Sequence, residues 1–254
     1  MPYPSLLFIH GAASAAWVWE IWRRHLRPFG WETNVLDLRG HGRSLPVDFS
    51  IVTMEDYLAD IESVTAQIAA RGRHPVLVGW SMGGMLSLMY AARHEETPAL
   101  VLLEPSPPLE VAGRVPASAL RDVPLGVIGP EQYGIFVDDP VASRAVLPDL
   151  TDAELTEFLD RSRGAEESGI AHRQRYQGIS VPAESVRCPT LLVYGQRPER
   201  AERVTEHRRT AEYLGARGLA IEGAGHWGLV YHEAAVIEAA MQVDSWLRRS
   251  LSRA

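Results

Sequence analysis

Short runs that are apolar throughout alternate along this chain with longer stretches of helical spacing. The apolar runs fall at 5–9, 33–38, 75–79, 99–103, 190–194 and 217–221. Helical periodicity appears at 17–28, 54–71, 83–94, 201–214 and 233–249. A strand that is apolar at successive positions is covered on both faces. Strands interleaved with helices therefore predict a mainly parallel sheet flanked by helices on both sides. One helix start is marked in detail. Thr53 stands at the N-cap of the helix that begins at Met54, and Asp56 occupies the capping-box position, where Glu or Gln is more usual.

The alternation breaks over 105–188. This segment is rich in proline as far as Pro148 and then reads as a charged helix over 152–168. It is read as an insertion, which leaves 1–104 and 189–254 as the core. Its apolar residues Leu109, Val111, Leu125, Val127, Ile128, Tyr133 and Phe136 either line a pocket or pack the insertion on the core.

At 254 residues the chain makes one domain, or one domain with an insertion, and 46% hydrophobic content suffices for a large core. The net charge of −7 argues against nucleic acid as a partner. All 25 basic residues are Arg, so no lysine Schiff base or lysine general base is available. The single Cys188 excludes an internal disulfide and any cysteine-built metal site; it is expected to be buried and inert. The first apolar run is too short for a signal peptide, and no run approaches the length of a membrane span. A cytoplasmic protein with no membrane partner is expected. No phosphate-binding loop, dinucleotide fingerprint or metal-ligand cluster is evident, so no cofactor is expected.

The ends of the apolar runs carry the chemistry. Gly79-Trp80-Ser81-Met82-Gly83 follows the run at 75–78 and precedes helical spacing, which is the G-x-S-x-G arrangement of a nucleophile elbow. A strand-to-helix turn this tight forces the serine into strained backbone angles and leaves no room for side chains two residues to either side. The run at 5–9 ends in His10-Gly11-Ala12, and the run at 33–38 ends in Arg39-Gly40-His41-Gly42-Arg43-Ser44. The last run leads into Gly223-Ala224-Gly225-His226-Trp227. Four motifs in this order, over roughly 5–104 and 186–250, resemble the α/β-hydrolase family. More loosely, the short start before His10 resembles the plant methylesterases, hydroxynitrile lyases and related bacterial esterases.

The resemblance implies an α/β-hydrolase fold with the insertion 105–188 as a cap. Two strands usually found ahead of the first are absent here, so six strands are expected. It implies Ser81 as nucleophile and His226 as base, since His226 follows the last strand where the family places this residue. His10 and His41 belong to family motifs and are read as structural. The oxyanion donors are the backbone N–H groups of Ala12 and Met82.

The acid departs from the family pattern. A G-x-x-D would follow the strand near 194, but the chain reads Gly195-Gln196-Arg197-Pro198-Glu199. Glu199 is one candidate. Glu104, 23 residues after Ser81 at the end of the run 99–103, is the preferred one. A carboxylate at the end of a buried strand is costly unless paired, and some family branches carry their acid there. A site with no working acid is the third case.

Trp80 and Trp227 flank the reacting residues and either shape an acyl pocket or bury the motif backbone. Tyr133 and Phe136 are taken with them as candidate substrate contacts. Trp17 and Trp19 are expected to pack the loop after His10 onto the helix with Trp22. His172 is a weaker substrate contact; Arg121, Arg144, Arg173 and Arg175 are read as solvated surface, with recognition of a substrate carboxylate as the alternative.

The expected activity is hydrolysis of a carboxylic ester of a small, largely apolar molecule through an acyl-enzyme, with lactones and thioesters open to the same machinery. The alternatives are a lyase, a carbon–carbon bond hydrolase or a cofactor-free oxygenase on the same fold, or a ligand-binding protein with little turnover. Plant cyanohydrin lyases use a lysine in the cap, which counts against that reaction here. Sequence leaves the oligomeric state open.

Overall fold

The structure, a computed structural model, describes residues 3–252. Six parallel strands form one sheet: β1 (Leu6–Ile9), β2 (Thr33–Leu36), β3 (Val76–Trp80), β4 (Leu100–Leu103), β7 (Thr190–Gln196) and β8 (Arg217–Glu222), in the order β2-β1-β3-β4-β7-β8. The two strands between them in sequence, β5 (Val127–Ile128) and β6 (Glu167–Ser168), pair antiparallel within the segment 105–188. That segment leaves the sheet after β4 and returns at β7.

Alternation along the strands sends side chains to two faces. Leu6, Phe8, Val76, Val78, Val101, Leu103, Leu191 and Val193 pack on one side, with Trp22 and Leu26 of α1 (Glu20–Leu26) and Val236, Ala240 and Val243 of α10 (Glu233–Leu251). Leu7, Ile9, Leu77, Leu100, Leu102 and Leu192 pack on the other, with α2 (Met54–Ala69), α3 (Met82–Ala91) and Val204 and Ala211 of α8 (Ala201–Tyr213). The four central strands are buried at almost every position, which accounts for their unbroken apolar sequence. The edge strands β2 and β8 are only half-buried.

The predicted elements are present with shifted ends, each for a local reason. The helix expected at 17–28 shortens to α1 between 3-10 turns at Ala16–Trp19 and Arg27–Phe29; at the second, Pro28 has no N–H to continue it. β2 stops at Leu36, since the Leu38 N–H turns away from the ladder to donate to His10 Nε2 at 3.1 Å. β7 and β8 run longer than expected, paired as far as Gln196 and Glu222. The capping box of α2 has both halves: the Asp56 N–H donates to Thr53 Oγ1 (3.2 Å) and the Thr53 N–H to Asp56 Oδ2 (2.9 Å). Cys188 is half-buried rather than fully buried, and desolvation pushes its thiol up to about 11.

The strand order reverses between β1 and β3. The chain leaves β1 toward α1 on one face and leaves β3 toward α3 on the other. A crevice opens at the carboxyl ends of such diverging strands, where open α/β sheets bind their ligands.

Segment 105–188 adds α4 (Leu109–Ala112), α5 (Pro140–Ser143), α6 (Asp152–Arg161) and α7 (Gly169–Gln177), and α9 (Gly228–Tyr231) precedes α10. The segment is tied to the core through buried polar contacts. The Tyr57 hydroxyl of α2 donates to Glu167 Oε1 at 2.5 Å, and His41 Nε2 lies 3.4 Å from Glu167 Oε2. Ser168 Oγ donates to the Val52 carbonyl (2.6 Å), and Gln174 accepts from the Met54 N–H (2.9 Å). His41 thus anchors the insertion from the loop after β2. His10, buried and held at about pKa 4 chiefly by desolvation, joins the β1 and β2 exits.

Candidate active site

The turn from β3 to α3 holds Ser81 at φ 55° and ψ −114°. The glycines around it are dictated by crowding. A Cβ on Gly79 would sit 2.3 Å from the Gly83 carbonyl oxygen, and one on Gly83 would sit 2.2 Å from that of Ile9. Among the described residues only Ala13, Ser81 and Glu104 combine a side chain with positive φ. They follow β1, β3 and β4, so backbone strain of the kind often stored at functional sites collects around the crevice.

Glu104 is 2% exposed and its carboxylate is saturated with donors. His226 Nδ1 lies 2.8 Å from Oε2. Arg200 donates from Nη1 to Oε1 (2.7 Å) and from Nη2 to Oε2 (2.6 Å). The Gly195 N–H donates to Oε1 (2.9 Å), and His207 Nε2 is 3.6 Å from Oε2. Burial alone would raise the Glu104 pKa, but the bonds from Arg200, His207 and His226 hold it well below the usual carboxylate range. His226 shifts downward: desolvation, with a contribution from the Arg200 charge, outweighs the attraction of Glu104. A neutral imidazole that donates from Nδ1 leaves Nε2 as a proton acceptor.

Glu199 does not reach this cluster. It is exposed on the 3-10 turn Pro198–Arg200 and pairs with Arg197 at 2.5 Å. In place of the family's acid, the turn after β7 supplies Arg200. Neither Arg200 nor His207 was singled out by the sequence, where one is a surface-type residue beside an unusual motif and the other a histidine within a polar helix. Asp149 was missed as well. It accepts from the Gly225 N–H at 2.5 Å and so steadies the loop that carries His226.

Ser81, Glu104, His226, Trp80, Trp227 and Ala12 share one cavity of about 800 Å³. The Ala12 N–H makes no turn bond, and Met82 opens α3, where a helix has no internal acceptor for its N–H. Trp80 donates from Nε1 to the His226 carbonyl (3.1 Å) and packs 4.6 Å from the Trp227 ring, so these two aromatics both line the cavity and fix the His226 backbone. Tyr133 and Arg175 also line it. Phe136 does not: it is 43% exposed and lies away from the cavity, a correction to the sequence reading. Arg175 is a second correction, being buried rather than solvated. His172 sits behind Tyr133, hydrogen-bonded to its hydroxyl at 2.9 Å. Arg144 is spent on the Leu150 carbonyl and Asp152, and Arg173 on the Val123 carbonyl. Trp19 packs on Phe8 and Trp22 as expected, but Trp17 turns instead to Phe158 of α6 and Tyr231 of α9.

Known proteins with similar chains point the same way. The chain is 27% identical over 246 residues to the pimeloyl-[acyl-carrier protein] methyl ester esterase of Xanthomonas campestris pv. campestris, a match covering 93% of each chain. It is 28% identical over 232 residues to the esterase of the same name from Neisseria meningitidis serogroup B, covering 81% of this chain and 79% of that one. A solved carboxylesterase structure from the thaumarchaeon Nitrososphaera gargenis superposes with a TM-score of 0.71 at 17% identity, over 97% of this chain and 91% of that one, which speaks to fold alone. The family-wide pattern matches residues 6–239, spanning the core and the insertion, and the chain belongs to the alpha/beta hydrolase family.

Proposed function

We propose that this protein is a serine hydrolase that cleaves a carboxylic ester of a small molecule through an acyl-enzyme. The observation that carries the reading is the 2.8 Å contact between His226 Nδ1 and Glu104, made on the same cavity as Ser81 at its strained elbow. In this reading Ser81 Oγ attacks the ester carbonyl carbon and His226 Nε2 takes the hydroxyl proton. The N–H groups of Ala12 and Met82 hold the oxyanion. His226 then returns the proton to the departing alcohol. Water enters, gives its proton to the same nitrogen, and releases the acid with Ser81 restored. Glu104 stays ionised throughout; it keeps the resting proton of His226 on Nδ1 and stabilises the imidazolium.

Segment 105–188 acts as the cap in this proposal, with Tyr133 contributed from it and Trp80 and Trp227 from the core as the pocket walls. The names of the similar esterases make methyl esters of acyl chains the first substrates to try. A cytoplasmic location is proposed on the single free thiol, which asks for no oxidising compartment.

Steady-state turnover on p-nitrophenyl esters of increasing acyl length, run beside Ser81→Ala, tests the reading. Turnover that vanishes in the variant supports it. Equal rates in the two proteins would reject Ser81 as the nucleophile.

A further inference from the structure

Arg175 is a buried charge with no ion-pair partner among the described residues. It lies on α7, is 5% exposed, and lines the cavity shared by Ser81 and His226. Among the described residues no carboxylate oxygen comes within 4 Å of its guanidinium. Its contacts are with neutral groups. Nη2 reaches the Tyr133 hydroxyl at 3.5 Å and His172 Nδ1 at 3.4 Å, both at the long end of hydrogen bonding. The guanidinium carbon sits 5.1 Å from the Tyr176 ring centroid. Nε is buried with no partner at all.

Among the described residues none pairs with it directly. Glu167 exerts a pull on Arg175, but its Oε1 is taken by the Tyr57 hydroxyl and the Ser168 N–H (2.7 Å), and its Oε2, 3.4 Å from His41 Nε2, lies beyond ion-pair distance of the guanidinium. His172 is neutral: burial, reinforced by the Arg175 charge itself, lowers its pKa to about 4. The other arginine in this cavity that is mostly buried shows the ordinary solution, since Arg200 is gripped on both terminal nitrogens by Glu104. A buried guanidinium left without a carboxylate is costly. That cost has a purpose if the partner arrives with the ligand.

We propose that Arg175 is the recognition site for a carboxylate on the substrate, so that the cavity takes half-esters: small molecules with the ester at Ser81 and a free carboxylate elsewhere on the chain. The planar fork of a guanidinium matches a carboxylate in two parallel hydrogen bonds, and its poor hydration makes it the preferred cation for such a buried pair. Of the terminal nitrogens that would form this fork, Nη2 makes only its two long contacts and Nη1 makes no hydrogen bond among the described residues. The Tyr133 hydroxyl, 2.9 Å from His172 Nδ1, keeps that side of the guanidinium polar without adding a negative charge. The proposal rests on the hydrolase reading above for the ester end of the ligand.

The test compares methyl hydrogen adipate with dimethyl adipate, and the succinate pair alongside. Wild-type kcat/KM is expected to favour the half-ester of the better-fitting length by about tenfold or more, the scale of a hydrogen bond to a charged group. That ratio is expected to collapse toward unity in Arg175→Met and to be partly restored in Arg175→Lys. Because a ratio is read within each protein, partial loss of folded enzyme does not mimic the result. Calorimetric binding of the same ligands to Ser81→Ala protein needs no turnover, so it separates this proposal from the hydrolase reading. A half-ester bound about tenfold tighter than the diester supports the Arg175 site even if no hydrolysis is seen. Equal affinity for charged and neutral ligands would overturn it. So would a ratio that survives in Arg175→Met, or one that is lost instead in Arg203→Gln, the exposed arginine on the same cavity.

Discussion

Arg200 and His226 hold the same carboxylate. Glu104 Oε2 accepts from Arg200 Nη2 at 2.6 Å and faces His226 Nδ1 at 2.8 Å, while Oε1 is closed off by Arg200 Nη1 and the Gly195 N–H. A glutamate side chain is longer and looser than an aspartate. Here two donors on Oε1 and three basic groups around Oε2 leave it one orientation. The arginine that enforces this stands on the turn where the family usually keeps its acid.

Replacing the acid separates the two glutamates. Glu104→Gln is expected to lower kcat by about a thousandfold or more, because a carboxamide no longer selects the productive tautomer or stabilises the imidazolium. Glu199→Gln, which breaks only an exposed pair with Arg197, is expected to change kcat by less than about twofold. Steady-state kinetics on one p-nitrophenyl ester decides it; equal and small effects would reject the proposed triad.

Arg200→Gln is expected to lower the plateau rate by roughly ten- to a hundredfold, the scale of a misplaced catalytic group. It should also move the pH profile. Arg200 depresses the His226 pKa, so its removal moves the acid limb of kcat/KM to higher pH. A merely structural role would lower the rate and leave that limb in place.

Acid should weaken the fold before the surface carboxylates titrate. Folding depresses the pKa of His10 and of His172 from 6.5 to about 4, mainly by burial. The unfolded chain therefore binds protons that the native protein refuses as pH falls through this window, and stability falls with it. Glu104 and Glu167 are depressed too, so their contributions are present above the ordinary glutamate pKa and are lost as pH falls below it. Thermal unfolding from neutral pH down to about 4 should show a decline beginning near 6.5. A flat Tm across that interval would contradict the buried neutral histidines.

Glu167→Ala is expected to cost about 3 kcal/mol, since it leaves His41 and the Tyr57 hydroxyl buried without their partner. Chemical denaturation measures it. A loss below about 1 kcal/mol would mean that the insertion is not anchored through this cluster.

Much of the site was legible before the structure. Ser81 and His226 announce themselves because a tight strand–helix turn and a loop after the last strand need particular glycines at particular spacings, and those glycines are written in the sequence. Glu104 was legible as a carboxylate at the end of a buried strand, which asks for a partner. Arg200, His207 and Asp149 were not. Their importance lies in contacts with residues 96, 103 and 76 positions away along the chain, and no local pattern encodes such a contact.

Sequence alone determined the layered parallel sheet, its six strands and the turns that expose Ser81 and His226, because these follow from local periodicity and backbone sterics. It could not tell Arg175 from Arg173, two residues apart on one helix and identical in composition. The tertiary structure decided that one bonds the Val123 carbonyl while the other lines the cavity with no ion-pair partner among the described residues. It also decided which glutamate meets His226. Both choices depend on burial and on long-range placement of charge, which exist only once distant parts of the chain have packed together.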